Sequence, residues 1–478
     1  VTDAHIAAVI YSHFHYVEGT TAIFKETNHL SPLPIYGHEK IAYNKARASG
    51  EISPAYARGL VEQFGIAMPA DGPDGLVNVG LGFWYRNPAF STITPGYIPV
   101  THPVGKSASL TIAGLKVEMK HSPSDCDDSV NMYFPALETC VHNSVWPTVF
   151  NVFAIRGEEY RDPRILLKGI DHLLSLNAEH LVGAHGPHIS GVQEIATRVT
   201  KYRDSIQFMW DQTVRATNAG MTSTEIAEAV DLPETFDGDY LTSELYGVVE
   251  HHVRQIRTGL FGFFDGDEAN LFPTPPRERT AKLIAGFGGR EAVRKQATDA
   301  LAQDDARWAL ELGSWLVRSD GAEDADRALL AKALRMVAQR TSAANIRNWC
   351  LTNARDLDGT GPMDVYVVGP THQGMSLPGR TIFAPGDDAW LFARFLVAEP
   401  HDLPAAHAMQ DRLAVQHSGG TVCMPSTVPV RATDTANFLA VVNEALGRNP
   451  LAGPQHGRYL GFHGGVGAGH DLPDAVHA

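Results

Sequence analysis

The 478 residues, 44% hydrophobic and 19% charged, have ordinary globular composition. At about 100–200 residues per domain they allow two to four domains and exclude wholesale disorder. With 39 Lys and Arg against 54 Asp and Glu, the net charge is -15, which excludes a chain built to track a nucleic-acid backbone or an anionic membrane surface. No apolar run nears the ~18 residues of a membrane span. The opening VTDAHIAAVIYS lacks a signal-peptide pattern, and Cys126, Cys140, Cys350 and Cys423 form no disulfide framework. These features lead us to expect a soluble protein, cytoplasmic or periplasmic, with no nucleic-acid partner.

In chain order, Ala7 to Tyr11 reads as a short buried strand running into polar Ser12-His13. Leu115 to Met119 and Val130 to Phe134 alternate with period two, the second stopped by Pro135. Leu166 to Leu176 is an amphipathic helix, followed by the strand Leu181-Val182 and the loop Gly183 to Pro187. From about Gln193 to Asp356 the pattern is helical, with a capping box at Thr222-Ser223-Thr224-Glu225. Helices are expected over 289–301, 304–317 and 324–339, joined by short polar turns as in stacked hairpins. Asp358 to Pro362 reads as a linker, Val365 to Val368 as a strand and Thr433 to Leu446 as a helix, before a Gly- and His-rich tail, 461–478, expected to be poorly ordered.

The chemistry collects at strand ends. Two imidazoles one residue apart, His13 and His15, can enter one concavity and share an ion. Asp125, Asp127 and Asp128 follow the strand at 115–119, His142 follows that at 130–134, and His185 follows that at 181–182. Ligands on successive strand ends are what a metal-dependent hydrolase built on a sheet requires. The bland alternatives are a polar loop, a solvated acidic turn and buried structural thiols at Cys126 and Cys140, although a thiolate could also complete a metal shell.

Read with these residues, the chain resembles the type III alkylsulfatases, metallo-β-lactamase-fold enzymes that hydrolyse alkyl sulfate esters with two zinc ions. The likeness rests on His13 and His15, on Gln63-Phe64-Gly65, Gly72-Pro73 and Gly80-Leu81-Gly82, and on Asn143, Trp146-Pro147, Phe150-Asn151 and Ala154-Ile155-Arg156-Gly157. It continues through Gly183 to Pro187, Val253-Arg254-Gln255-Ile256 and Gly262 to Gly266, covering roughly residues 1–357. It implies an α+β fold, a metallo-β-lactamase-like αββα sandwich lacking its opening strands over 1–200. A helical dimerisation domain would follow over 201–358, making a homodimer through 289–357, with a small α/β C-terminal region of unassigned role over 359–478.

By the same resemblance His13, His15 and His185 are metal ligands, and Asp125 or Asp128 takes the place of a metal-binding Glu. His142 stands where the family has a bridging Glu, and Arg156 and Arg254 stand where guanidinium groups surround the sulfate, a tetrahedral oxyanion that a planar fork suits. His251-His252 could include a proton donor, or simply pack a helix. Phe83-Trp84-Tyr85, Trp146 and Phe261 to Phe264 could form an apolar mouth, or core. One departure is large. The family motif is H-x-H-x-D-H, whereas Val17-Glu18-Gly19-Thr20 follow Tyr16 here, as though the D-H pair were deleted. Glu18 could supply one carboxylate in compensation. The expectation is therefore a zinc-dependent hydrolase of alkyl sulfates with one or two ions, the second doubtful. The alternatives are a mononuclear hydrolase of another ester and a catalytically silent dimerising homologue.

Overall fold

The computed structural model describes residues 6–27, 33–49, 53–66, 68–81 and 96–360, together with six strands beyond them. The chain divides into two compact units, one made of 1–45, 59–85 and 96–361 and the other of 46–58, 86–95 and 362–478.

The first unit opens with a parallel three-stranded sheet, β1 (Val9–Ile10), β2 (Ile35–His38) and β3 (His102–Val104), with Val9 opposite Ile35 and Tyr36 opposite His102. A six-stranded sheet follows in simple order: β4 (Ser107–Ile112), β5 (Leu115–His121), β6 (Val130–Phe134), β7 (Thr139–His142), β8 (His180–Gly183) and β9 (Ile189–Ser190). All its neighbours are antiparallel except β7 and β8. A parallel pair needs a crossover, and here it is the loop 143–162 plus α4 (Pro163–Ser175). Asp162 starts α4 by accepting the Arg164 amide at 2.9 Å, and Pro163 takes the first turn, where its missing N–H costs nothing.

Alternation in β5 buries Val117 and Met119 while Lys116 and Lys120 face water. The buried pair joins Val104, Val130 and Met132, with Ile10 and Tyr36 of the first sheet packed on them, so the two sheets share a core. The opposite face carries Cys140, Leu181 and Ile189 against Leu166, Ile170 and Leu173 of α4 and Val199, Tyr202 and Ile206 of α5 (Val192–Asn218). This is the mixed α+β sandwich expected from the sequence. The same core extends to Ile226 of α6 (Ser223–Ala229) and to Val253 and Ile256 of α7 (Val249–Phe261), welding the first helices onto the sheet.

The capping box at Thr222 and Glu225 forms as the spacing predicts. Helices α8 (Pro276–Gly286), α9 (Arg290–Ala302), α10 (Ala306–Arg318) and α11 (Asp324–Ala338) pack in sequence, and α12 (Ala344–Leu357) closes the run. In the second unit the strand at 365–368 is present. It lies in an antiparallel sheet with Met375–Ser376, Ala389–Phe395, Thr421–Cys423, Pro429–Arg431 and Arg458–Gly465. That last strand enters the segment expected to be poorly ordered. The helix expected over 433–446, and residues 466–478, lie outside the described residues.

One buried charge holds three helices of the bundle. Asp326 is fully buried, caps the start of α11 and accepts from Arg290 at 2.6 Å and Arg294 at 2.8 Å, both on α9; Arg290 also donates to the Leu316 carbonyl of α10 at 3.1 Å. Removing one partner of such a set leaves uncompensated charge. Asp326→Ala is expected to lower stability by about 3 kcal/mol in urea unfolding, and a loss under about 1 kcal/mol would show that the charges do not hold the helices.

Candidate metal centre

β1 ends at Ile10, and the next residues turn into a single 3-10 turn, Phe14–Tyr16, which throws His13 and His15 to the same side. The Ser12 hydroxyl lies 2.9 Å from His13 Nδ1 and fixes that ring, leaving Nε2 aimed at Asp125 Oδ2, 3.8 Å away. His15 Nδ1 is 3.0 Å from the same oxygen, while its Nε2 meets Glu158 Oε1 at 3.2 Å. Cys126 Sγ lies 3.3 Å from Asp125 Oδ1 and 4.0 Å from His15 Nδ1. The donor atoms of His13, His15, Asp125 and Cys126 all lie within 4.8 Å of one another, and no second such cluster forms among the described residues.

The remaining expected residues divide. The His185 ring stacks on Trp146 at 4.3 Å with its centroid 5.9 Å from that of His13, so it flanks the cluster. His142, at the end of β7, is buried; its Nδ1 accepts the Val145 amide at 3.4 Å, and it lines a small cleft with His185, outside the four-residue group. Asp128 accepts the Phe14 amide at 3.4 Å and also stands outside the group, while Asp127 pairs with Lys40 at 2.5 Å and Asn44 at 2.7 Å. Of the three acids, Asp125 is the one brought to the histidines. Glu18 does not stand in for the missing pair: it binds Lys45 and accepts the Gly96 and Tyr97 amides at 2.8 and 3.0 Å.

Arg156 reaches the edge of the cluster, donating to Glu158 at 2.9 Å and to the Tyr246 hydroxyl at 3.5 Å. Its backbone is seated by Gln63 Oε1 at 3.2 Å and by Gly59, where a β-carbon would lie 2.6 Å from Arg156 Cα. Arg254 instead pairs with Glu250 one turn back on α7 at 3.2 Å, and Arg307 shares that carboxylate. Trp146 is buried, stacks on His185 and lines the same small cleft, Phe261 and Phe263 are exposed at the end of α7, and Phe83-Trp84-Tyr85 lie outside the described residues.

Three further residues support the cluster. Glu158 is the carboxylate between His15 and Arg156. Asn143 donates to Asp125 Oδ1 at 2.5 Å, and Arg161 donates to the Asp125 carbonyl at 2.9 Å and the Asn151 carbonyl at 2.6 Å. The family likeness already quoted Asn143 and Asn151, but Glu158 and Arg161 sit in an aperiodic loop whose only signal is its charge.

Burial outweighs all else at His13, His142 and His252, holding each imidazole neutral with its pKa lowered to about 3, and at His185 to about 4. Asp125 is also buried, but the imidazoles of His13 and His15 overcome that and hold it well below the usual carboxylate range. Burial pushes Asp128 up to about 6 and the Cys126 thiol well above its usual value. Burial at His15 is outweighed by its bonds to Asp125 and Glu158, which raise it.

The donor set fits one metal ion. His13 Nε2 is buried with no hydrogen-bond partner, and so is His185 Nδ1. Neutral imidazoles, a carboxylate and a thiol are ligands of zinc-type ions. Of the other nearby carboxylates, Asp127 and Glu18 serve Lys40 and Lys45, while Asp128 accepts the Phe14 amide through Oδ1 and keeps a buried, unpartnered Oδ2.

These shifts fix the acid limit of the metal-free chain. A histidine whose folded pKa lies below its unfolded value is protonated first in the unfolded chain, so stability falls as pH drops below about 6.5. Each of His13, His142, His185 and His252 removes about 2 kcal/mol by about pH 5. Asp128 and His15, both raised, act in the opposite sense over that window. Urea unfolding of chelated protein is expected to show a net loss of several kcal/mol from neutral pH to about pH 5, and an unchanged midpoint would contradict the buried neutral state of these rings.

Residues 222–360 match the family model described as alkyl sulfatase dimerisation, and residues 341–417 match one described as a protein of unknown function, DUF1254. A linear primary-alkylsulfatase of Pseudomonas sp. is 34% identical over 372 residues, 76% of this chain and 69% of that protein. An (R)-specific secondary-alkylsulfatase of Pseudomonas sp. is 28% identical over 361 residues, 74% of this chain and 54% of that protein. The solved structure of the stereoselective inverting sec-alkylsulfatase Pisa1 from Pseudomonas sp. superposes with a TM-score of 0.66 at 27% identity, over 74% of this chain and 56% of that one. The chain thus spans little more than half the length of the latter two. None of the described helices is long and apolar enough to cross a membrane. With a relative this similar over most of both sequences, a sheet sandwich followed by a helical region and histidines gathered at its strand ends, the chain belongs to the alkylsulfatase family.

Proposed function

We propose that the chain hydrolyses sulfuric esters of alkyl alcohols at a single zinc ion held by His13, His15 and Asp125, with His185 beside it. The observation that carries this reading is the convergence of those donors next to Arg156 in a chain of this family. When bound, such an ion activates water and draws off charge developing on the ester. Glu158 orients His15 by accepting from Nε2, which leaves Nδ1 to face the cluster, and outer carboxylates of this kind fix ring orientation in metal sites. Arg156, tethered by the same Glu158, presents its fork to the sulfate oxygens, an attraction needed because the chain's charge of -15 repels an anionic substrate at long range.

Behind these groups lies a patch of buried polar atoms with no protein partner: Arg161 Nη2, both side-chain atoms of Asn151 and both ring nitrogens of His252. Buried polar atoms are rarely left unmatched, and a sulfate offers acceptors to the donors among them. Gly247 keeps the patch open, since a β-carbon there would lie 2.5 Å from Asn151 Oδ1 and 2.8 Å from His252 Cε1. His252, neutral at pH 7, contributes a ring N–H rather than an imidazolium proton.

The test is sulfate release from a medium-chain alkyl sulfate by the zinc-loaded protein. Slow turnover that is abolished in His13→Ala is expected, because the D-H pair after Tyr16 is absent and Glu18 is occupied elsewhere. Inserting Asp-His between Tyr16 and Val17 is expected to raise both metal stoichiometry and rate. No release above background from either chain would contradict the reading.

The match of residues 222–360 to a dimerisation family supports a homodimer, and we assign its contact to the hairpins over 289–357. Light scattering at micromolar concentration is expected to give twice the chain mass, and a clean monomer would overturn the assignment.

A further inference from the structure

We propose that Cys126 is itself a metal ligand, completing with His13 Nε2, His15 Nδ1 and Asp125 a single site of two nitrogens, one oxygen and one sulfur. The proposal rests only on the metal-holding part of the reading above.

Cys126 follows Asp125 directly in the turn between β5 and β6, and that turn points both side chains at the same two histidines. Its Sγ is 3.3 Å from Asp125 Oδ1 and 4.0 Å from His15 Nδ1, and all four donor atoms fit within 4.8 Å. A buried cysteine alone would mean little. The independent observation is His13: its ring is fully buried, pinned at Nδ1 by Ser12, and its Nε2 points into the cluster with no hydrogen-bond partner. His15 adds a second, since its Nε2 is held by Glu158 and its Nδ1 by default faces Asp125 and Cys126. Three donors from two segments therefore converge where the thiol already sits.

The other thiols are placed differently. Cys140 lies in the hydrophobic core behind β7 and Cys350 in the apolar cluster under α12. Neither belongs to a group of ligating side chains among the described residues. As the metal–sulfur bond forms, the thiol proton leaves to solvent. Two consequences follow. A thiolate makes the site soft, favouring zinc over magnesium or manganese. It also adds a second anionic donor, so a water taken as a fifth ligand would be polarised more weakly than at a site of neutral ligands, in keeping with the slow turnover expected above.

The experiment is X-ray absorption at the zinc edge on the full chain loaded with one equivalent, alongside the near-ultraviolet spectrum of the cobalt(II) form. One sulfur scatterer at about 2.3 Å is expected among nitrogen and oxygen at about 2.0–2.2 Å, with a thiolate-to-cobalt charge-transfer band. Cys126→Ser should abolish both and lower zinc affinity at least about tenfold, the smallest loss seen when only outer-sphere partners are removed. A variant with Cys140, Cys350 and Cys423 all changed to Ala should retain both signals. Should the Cys126→Ser chain fail to fold, the scatterer in the unaltered chain still decides. A shell of nitrogen and oxygen alone would overturn the proposal while leaving the hydrolase reading intact. A sulfur shell with no alkyl sulfate turnover would uphold the proposal and sink the hydrolase reading.

Discussion

The buried carboxylate of Asp125 is the constraint on which the site depends. It is ionised out of contact with water, and that state is tolerable only because Asn143 donates to Oδ1, His15 meets Oδ2, and Arg161 anchors its carbonyl. Each partner comes from a different element: the loop after β1, the end of β7 and the crossover before α4. The two-sheet core brings those ends together, and the helices over its outer face hold the crossover down. Remove the charge and the imidazoles lose their common partner. Remove the fold and nothing local would bring residues 13, 125 and 143 together.

That geography explains what could be read from the sequence. Strands at 115–119 and 130–134, the helix near 166 and the hairpins after 289 follow from periodicity, which is local, and the structure has them within about three residues, β5 running two residues further and α4 starting three earlier. His13, His15 and His185 stood out because imidazoles just past strand ends are rare enough to notice. The choice among Asp125, Asp127 and Asp128 was open to the sequence because all three sit in one turn. In space Asp125 is the one that reaches the histidines, while Lys40 and Asn44 take Asp127 and the Phe14 amide takes one oxygen of Asp128. Glu158 and Arg161 were illegible because the partners that tie them to the cluster, His15 and the Asp125 carbonyl, lie more than 30 residues away. Glu18 was misleading for the same reason, its acceptors being claimed by the amides at 96 and 97.

The chain keeps its family's scaffold, and on the single-ion proposal it keeps the histidine end of the cluster while Glu18 and Asp127 are paired with Lys45 and Lys40. A site of that kind can be stable and still slow. The guanidinium proposed to meet sulfate, Arg156, is shared with Glu158. On the single-ion proposal, transition-state stabilisation would fall on one ion and a few buried donors rather than on a dinuclear clamp.

Counting metal is the most direct test of this account. Elemental analysis of the purified, zinc-equilibrated full chain should find one tightly held zinc per chain, falling to none in Asp125→Ala while His142→Ala still retains one. Two equivalents in the unaltered chain, or one that survives loss of Asp125, would contradict it.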